Sequence, residues 1–214
     1  MKKALIIILL LCGLLILLNF LISINQTEID ESSAVALERR AEISPDYSDT
    51  VLPFNLAAVN FVVKEPAESY LVKISCEEFE PIRVYSTDGK INIDNAKWSR
   101  LLKKAADKKI HFQIFARQQN GKTIRFEPFT ITISSDKIDP YLVYRRMTAM
   151  FTRHRNMTIF ERDLTNFNER PLIRGNTVLR TTDTHTGTCV NCHTFCSNNP
   201  QIMSLAYRDR SFGS

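Results

Sequence analysis

The feature of this 214-residue sequence that most restricts its fold is a succession of short β-forming runs between residues 51 and 135. Apolar residues alternate with polar ones at Ile110, Phe112 and Ile114, and the same alternation recurs over residues 129–133. A period of two places every second side chain on the same face of a strand. The pattern therefore predicts strands that each bury one face in a shared core.

Turn signals and one amphipathic segment complete the prediction for this region. The pairs Asp88-Gly89 and Asn120-Gly121 accept the positive φ angles of tight turns, and each predicts a hairpin. Residues 96–109 carry apolar side chains on one stripe, which predicts a short helix or a turn. His111 alternates with core residues, so we expect it to face solvent without a functional role. About seven strands fit a small β-sandwich of the immunoglobulin or fibronectin kind over 51–135.

Residues 4–24 form a mostly apolar segment without charged residues near the amino terminus, in which Asn19 and Ser23 are the clearly polar members, and Lys2 and Lys3 precede it. About 20 helical residues cross a bilayer, whereas the apolar core of a cleaved signal peptide has about 7–15. We therefore expect an uncleaved transmembrane anchor over residues 1–27 that contacts the lipid bilayer. A removed signal peptide and a lipoprotein site at Cys12 are the alternatives.

The charges on either side of this segment predict its orientation. The two lysines precede it, and acidic residues begin at Glu28, which places the amino terminus in the cytoplasm. The expected localisation is the bacterial inner membrane, single pass, with the C-terminal region in the periplasm. Residues 28–50 contain seven acidic residues against two arginines and predict an acidic tether. The basic residues further on are not interleaved with aromatic residues, so we expect no nucleic-acid partner.

The region from residue 136 to residue 214 is predicted as a helix followed by a cysteine-rich segment. Asp139 can cap a helix that begins at Pro140. Over residues 141–157, five side chains recur at helical spacing: Val143, Met147, Met150, His154 and Met157. Residues 158–187 show little apolar periodicity and are predicted to be mostly a connecting segment. The predicted fold class is therefore mainly β with some α, and it includes a short helical C-terminal segment.

The motif "CVNCH" is the strongest chemical signal in the chain. In a C-x-x-C-H motif, two thiols attach covalently to a haem and the histidine ligates its iron. Cys189 and Cys192 are therefore the predicted attachment residues, and His193 is the predicted proximal ligand of a c-type haem. Zinc is the main alternative, because His185 and Cys196 bring the number of nitrogen and sulfur ligands above the four that zinc needs. A disulfide between Cys189 and Cys192 is the third interpretation.

The sequence leaves open the second axial ligand of the iron and the pairing of Cys196. For the second axial position of the iron there are four candidates: Met203, His154, Met157 and His185. A vacant position is also compatible with the sequence. Cys196 cannot attach to the same haem as the other two cysteines, so it is either paired with Cys76 or free.

Several stretches together resemble a known family: "PDYSDTVLPFNLAAVNF", "IDPYLVYRRM", "FERDLTNF", "CVNCHTF" and "NNPQIM". In this order they resemble the N-terminal part of membrane-anchored bacterial c-type cytochrome-like proteins, in which a TolB-like β-propeller follows the haem motif. The resemblance covers nearly all of residues 44–208, and it implies haem binding and membrane attachment. The sequence stops at Ser214, before the part in which that family has its propeller. The family's histidine after "NNPQIM" is missing, which shifts the expected distal ligand to Met203 or His154.

These observations predict an electron carrier or redox sensor with one covalent haem and an unknown redox or envelope protein partner. The alternative is a zinc-stabilised binding or structural module without redox activity, and a third possibility is an anchor that recruits an envelope partner. No Ser-His-Asp order, phosphate loop or paired-carboxylate motif stands out in the sequence. We therefore expect no enzyme, although a haem with an open position would bind small molecules.

Overall fold

The structure is a computed structural model, and it describes residues 29–77, 79–147, 157–174, 189–199 and 201–208. In these stretches the chain is mainly β, with fifteen strands, one α-helix and one 3₁₀ turn. The chain divides into two compact units. The first unit ends at Ser135, and the second begins at Asp136 and also includes Asn55–Ala57.

A seven-stranded sheet forms most of the first unit. Its strands are β1 (Val35–Arg40), β3 (Val51–Pro53), β5 (Ser69–Ser75), β6 (Ile82–Ser86), β8 (Lys109–Arg117), β9 (Thr123–Glu127) and β10 (Phe129–Ser134). The central strand β8 pairs antiparallel with β5 along one edge and with both β9 and β10 along the other. Pro128 separates β9 from β10, because proline has no amide hydrogen to donate to a ladder. At the outside of the sheet, β1 runs parallel to β9 and β3 runs parallel to β10.

A second, antiparallel sheet of the first unit has three short strands: β2 (Ile43–Ser44), β4 (Phe61–Val63) and β7 (Lys90–Ile91). One helix, α1 (Asn95–Lys104), follows β7. The Asp94 carboxylate accepts a hydrogen bond from the Lys97 amide at 2.7 Å and so caps the first turn. The buried face of α1 consists of Trp98, Leu101 and Leu102. The amphipathic helix predicted in this part of the sequence is therefore confirmed.

Both sheets and α1 contribute side chains to one apolar core. Phe112 on β8 stacks on Phe129 on β10 with 4.8 Å between the ring centroids. Phe61 on β4 meets both rings edge-on from the other sheet, at 6.3 and 6.2 Å. The two sheets therefore pack face to face, which is consistent with the predicted β-sandwich.

The two predicted hairpins have different outcomes. Asn120-Gly121 joins β8 to β9, which pair with each other through Arg117 and Thr123, so that hairpin is confirmed. Asp88-Gly89 joins β6 to β7, but β6 pairs with β5 and β7 pairs with β4. The second hairpin is therefore wrong, because this turn carries the chain from one sheet to the other. Both glycines have positive φ angles, as their turn signals require.

Strands also lie in the segment predicted as an acidic tether. β1 and β2 both fall within residues 28–50, and β1 is a mostly exposed strand with two arginines. Arg39 of β1 forms a two-pronged ion pair with Glu65, with nitrogen–oxygen distances of 2.6 and 2.7 Å. The hydrogen bond from Arg39 lowers the pKa of Glu65 below its ordinary value. Part of this acidic segment is therefore held against the sandwich by paired charges.

The second unit contains two small antiparallel sheets. The first has the strands β11 (Tyr141–Arg146), β12 (Thr158–Asp163) and β13 (Glu169–Arg174). The second is a two-stranded ribbon of β14 (Cys189–Phe195) and β15 (Met203–Arg208), with a 3₁₀ turn at Cys196–Asn198. Ile159 of β12 and Val190 of β14 are fully buried.

The predicted fold class is wrong in its helical parts. The helix expected over residues 141–157 is a strand at Tyr141–Arg146, and residues 148–156 lie outside the described residues. Contacts between strands explain the difference: the Tyr144 ring stacks on Phe160 at 6.0 Å, and the Arg146 guanidinium lies 4.2 Å from the Phe160 ring centroid. The expected helical C-terminal segment is also a strand, because Cys189–Phe195 pairs with β15.

The predicted localisation also needs correction. None of the helices in the described stretches has the length and apolar character that a bilayer crossing needs. This finding overturns the prediction of a single-pass protein of the bacterial inner membrane with a periplasmic C-terminal region. Residues 4–24, from which that prediction and the predicted transmembrane helix came, lie outside the described residues.

Candidate functional site

The C-x-x-C-H motif lies on β14, where the pairing with β15 is interrupted. Val190 is opposite Tyr207, and His193 is opposite Leu205. Two residues of β14, Asn191 and Cys192, therefore face the single residue that separates Leu205 from Tyr207 on β15. Two residues opposite one is the definition of a β-bulge. The motif thus contains a local break in an otherwise regular antiparallel ribbon.

The bulge decides which side chains of β14 point inward. Val190 is buried, His193 and Phe195 are partly buried, and Cys192 and Thr194 are exposed. In a regular strand, residues three apart lie on opposite faces. The extra residue of the bulge brings Val190 and His193 to the same face instead. The imidazole of His193 consequently faces the interior of the second unit, while the Cys192 thiol faces solvent.

The two ring nitrogens of His193 have different surroundings. Nε2 lies 3.4 Å from the carbonyl oxygen of Val143 on β11. Nδ1 is buried and has no hydrogen-bond partner among the described residues. In a neutral imidazole one nitrogen donates and the other carries a free lone pair. A proton on Nε2 would point to the Val143 carbonyl and would leave the lone pair of Nδ1 buried and unused.

Three cysteine side chains in the described stretches are free. Cys192 and Cys196 are exposed and unpaired, and Cys76 of the first unit is buried and unpaired. The disulfide between Cys76 and Cys196, which the sequence left open, is therefore not formed in this structure. The backbone of Cys189 begins β14, but its side chain lies outside the described part.

The candidate distal ligands are only partly described. Met203 begins β15 opposite Phe195, and it is partly buried. Because residues directly opposite each other share a face, Met203 lies on the same face of the ribbon as Leu205 and His193. Met157 is buried just before β12. His154 and His185 lie outside the described residues.

The described stretches contain no group of three or more histidine, cysteine, aspartate or glutamate side chains arranged to hold a metal ion. The zinc interpretation depends on His185 and on the Cys189 side chain, and both lie outside these stretches. Zinc therefore stays an untested alternative.

One part of the site had no signal in the sequence. The Val143 carbonyl is a backbone group, so no residue type announces it. Two side chains of its own strand bind Glu169 on β13: Tyr144 donates a hydrogen bond to the carboxylate, and Arg146 binds it at 2.6 Å. The hydrogen bond from Tyr144, together with the one from Arg146, lowers the pKa of Glu169. This ionised network fixes β11, and with it the carbonyl that faces His193.

Comparison with known proteins adds little to this description. No family model and no curated protein matches the chain. A crystal structure of chicken TCR aligns with 77% of this chain and 89% of that chain, at 10% sequence identity and a TM-score of 0.30. A TM-score this low carries no argument. The strands and the shared core themselves define the class, a mainly β protein whose C-x-x-C-H motif lies on a bulged two-stranded ribbon.

Proposed function

We propose that this protein binds one haem through its C-x-x-C-H motif and carries or senses electrons through it. Cys189 and Cys192 would attach the haem, and His193 would ligate the iron. The observation that carries the proposal is the imidazole of His193, whose Nδ1 is buried and lacks a hydrogen-bond partner among the described residues. Buried polar atoms normally have partners, so an unused lone pair in this motif favours an iron ligand.

Two properties of the described residues fit this group. Thioether formation adds a reduced, accessible thiol across a vinyl group, and Cys192 is both free and exposed. A ligating histidine usually has its second ring nitrogen oriented by a carbonyl or carboxylate, and a carbonyl lies beside His193. Either ring nitrogen can serve as the ligand, because a rotation of the ring by half a turn exchanges them.

One property requires a local change. Cys192 and His193 lie on opposite faces of β14, so a single group cannot bind both while the strand keeps this conformation. The change falls at the bulge, where Asn191 and Cys192 already lack regular partners on β15. A change of conformation at the bulge would therefore break little of the regular pairing between β14 and β15. We therefore expect β14 to change conformation on binding, while the three-stranded sheet of the second unit is retained.

A bound haem would supply one-electron chemistry at its iron. The residues of this chain would orient the imidazole through the Val143 carbonyl and increase its basicity. Apolar side chains next to His193 on the ribbon, Val190, Phe195 and Leu205, would limit the access of water. Electron exchange would also require a redox partner.

The proposal is tested by attaching haem in vitro. The full chain is purified under reducing conditions, incubated with ferrous haem and separated by denaturing electrophoresis, and the gel is stained for haem. We expect a stained band for the natural sequence and loss of the stain when Cys189 and Cys192 are both replaced by serine, because both thioethers are then removed. Cys196→Ser is the matched control, since Cys196 is also free and exposed, and it should keep the stain.

A second pair of variants tests the ligand. His193→Ala should retain covalent haem but change the absorption spectrum of the iron, whereas His111→Ala, at an exposed position on β8, should change neither. Absence of stain from the natural sequence, or equal stain in both cysteine variants, would refute the proposal. Zinc recovered with the purified chain in place of haem would support the zinc alternative.

A further inference from the structure

The first unit has an open hollow beside the turn at which the chain passes from the seven-stranded sheet to the three-stranded sheet. β6 forms an edge of the seven-stranded sheet, β7 forms an edge of the three-stranded sheet, and the turn at Asp88-Gly89 connects them. The hollow has a volume of about 410 Å³. This volume is at the small end of the roughly 300–1,000 Å³ that is usual for small-ligand sites. Its lining includes Ser69, Tyr85, Thr87, Asp88, Lys90 and Asn92.

Three neutral polar side chains line the hollow: Ser69, Thr87 and Asn92. Ser69 is only 9% exposed, whereas Thr87 and Asn92 are exposed to solvent. Hydroxyl and amide side chains both donate and accept hydrogen bonds. These groups are therefore available to donate and accept hydrogen bonds within the hollow.

An aromatic ring stands among these polar groups. Tyr85 on β6 is 50% exposed, and it lines the hollow together with Thr87 and Asn92. The face of a tyrosine ring offers a flat apolar surface, and its hydroxyl keeps a polar end in water. The hollow thus combines one apolar platform with several hydrogen-bonding groups.

The charges of the hollow compensate each other. The Lys90 ammonium lies 2.8 Å from the Asp88 carboxylate, which also accepts hydrogen bonds from the Ser86 hydroxyl and the Lys90 amide. The hydrogen bond from Lys90 lowers the pKa of Asp88 to about 2, so the pair stays charged over the whole neutral range. A phosphate or a carboxylate would have to compete with Asp88 for Lys90. The lining therefore favours a neutral ligand over an anion.

We propose that this hollow binds a neutral carbohydrate, with one sugar ring stacked on Tyr85 and its hydroxyls bonded to Ser69, Thr87 and Asn92. A pyranose ring presents a face of C–H groups to an aromatic platform and a rim of hydroxyls that both donate and accept. It has no net charge, so it leaves the Asp88–Lys90 pair intact. The site lies wholly in the first unit and does not depend on haem binding.

The test is an NMR titration of the isotope-labelled full chain with four probes, glucose, galactose, mannose and N-acetylglucosamine, each added separately. We expect saturable shifts of the amide signals of residues 85–92 with at least one of these sugars. Tyr85→Ala should weaken binding about tenfold, because it removes the stacking surface. Ser69→Ala and Asn92→Ala should each weaken it several-fold. Tyr141→Ala is the matched control, since Tyr141 is 52% exposed and lies in the second unit, and it should bind as the natural sequence does.

Three results would overturn the proposal. The first is the absence of saturable shifts with all four sugars. The second is unchanged affinity in Tyr85→Ala while the amide spectrum shows a folded protein. The third is that inorganic phosphate, titrated in parallel, shifts the same amides with equal or higher affinity, which would make the hollow an anion site.

Discussion

Replacing Phe112 with alanine is expected to lower the free energy of unfolding of the first unit by about 3–5 kcal/mol. Phe112 is completely buried, and its ring contacts aromatic rings from three directions. It stacks on Phe129 at 4.8 Å, and the rings of Phe61 and Trp98 each lie 6.3 Å away. These contacts join both sheets and α1, so the cavity left by the substitution would lie at the point where all three meet.

The chain provides its own probe for this measurement. Trp98 is the one tryptophan of the sequence, and it is completely buried in the same core. Urea unfolding of the full chain, followed by tryptophan fluorescence, therefore reports on the first unit. Tyr85→Ala is the control, because it removes a half-exposed aromatic ring from the same unit, and we expect it to change stability by about 1 kcal/mol or less. Equal unfolding midpoints for Phe112→Ala and the natural sequence would contradict the described core.

The second large effect is expected at Gly89. This residue has a φ of +76°, and a Cβ atom added to it would lie 2.7 Å from the carbonyl oxygen of Val63. The Gly89 carbonyl also accepts a hydrogen bond from the Val63 amide at 2.8 Å, so the two backbones cannot separate without losing it. Gly89→Ala should therefore destabilise the first unit by about 2–4 kcal/mol, since strain at positive φ adds to a steric clash with backbone.

Gly121 is a closely matched control for Gly89. Its φ of +79° is nearly the same, but no atom lies within 4 Å of an added Cβ. Gly121→Ala should therefore cost only the strain of the positive φ, about 1 kcal/mol. Both variants are measured by the same urea unfolding experiment. If the two substitutions have equal effects, the close approach between Gly89 and Val63 is not part of the folded protein.

The strands of the sandwich could be predicted because their signal is local. Ile110, Phe112 and Ile114 alternate with polar residues, and all three are buried on β8. The pair Asp88-Gly89 is also a local signal, and it correctly indicated the positive φ of Gly89. It did not indicate which strands pair on either side of the turn. A turn signal describes four residues, whereas the choice of partner strand depends on β4 and β5, which are distant in sequence. The strand pairing at this turn was therefore predicted wrongly.

The segment that begins at Tyr141 was predicted wrongly for a related reason. Its apolar residues recur at helical spacing, but "YLVYRR" is also rich in aromatic and β-branched residues that suit a strand. The three-stranded sheet decides between the two patterns, because it brings Tyr144 to Phe160 on β12 and Arg146 to Glu169 on β13. Contacts between positions more than fifteen residues apart leave no periodic trace in the sequence.

Contacts between residues distant in sequence also kept parts of both candidate sites from being predicted. The C-x-x-C-H motif is visible in the sequence because its five residues are contiguous, but the partner of His193 is a backbone carbonyl fifty residues away. The hollow is invisible in the sequence, because Ser69 comes from β5, Tyr85 from β6 and Asn92 from the segment after β7. Only the packing of two sheets brings these residues together.

The bulge in β14 makes the pairing of the motif as important as its composition. With two residues opposite one, the ring at position 193 is turned inward and the sulfur at position 192 outward. In a strand of the same sequence that paired without the bulge, strict alternation would exchange the two orientations without altering a single reactive atom. One irregular step in the ladder thus sets which chemical group of the motif is shielded from water.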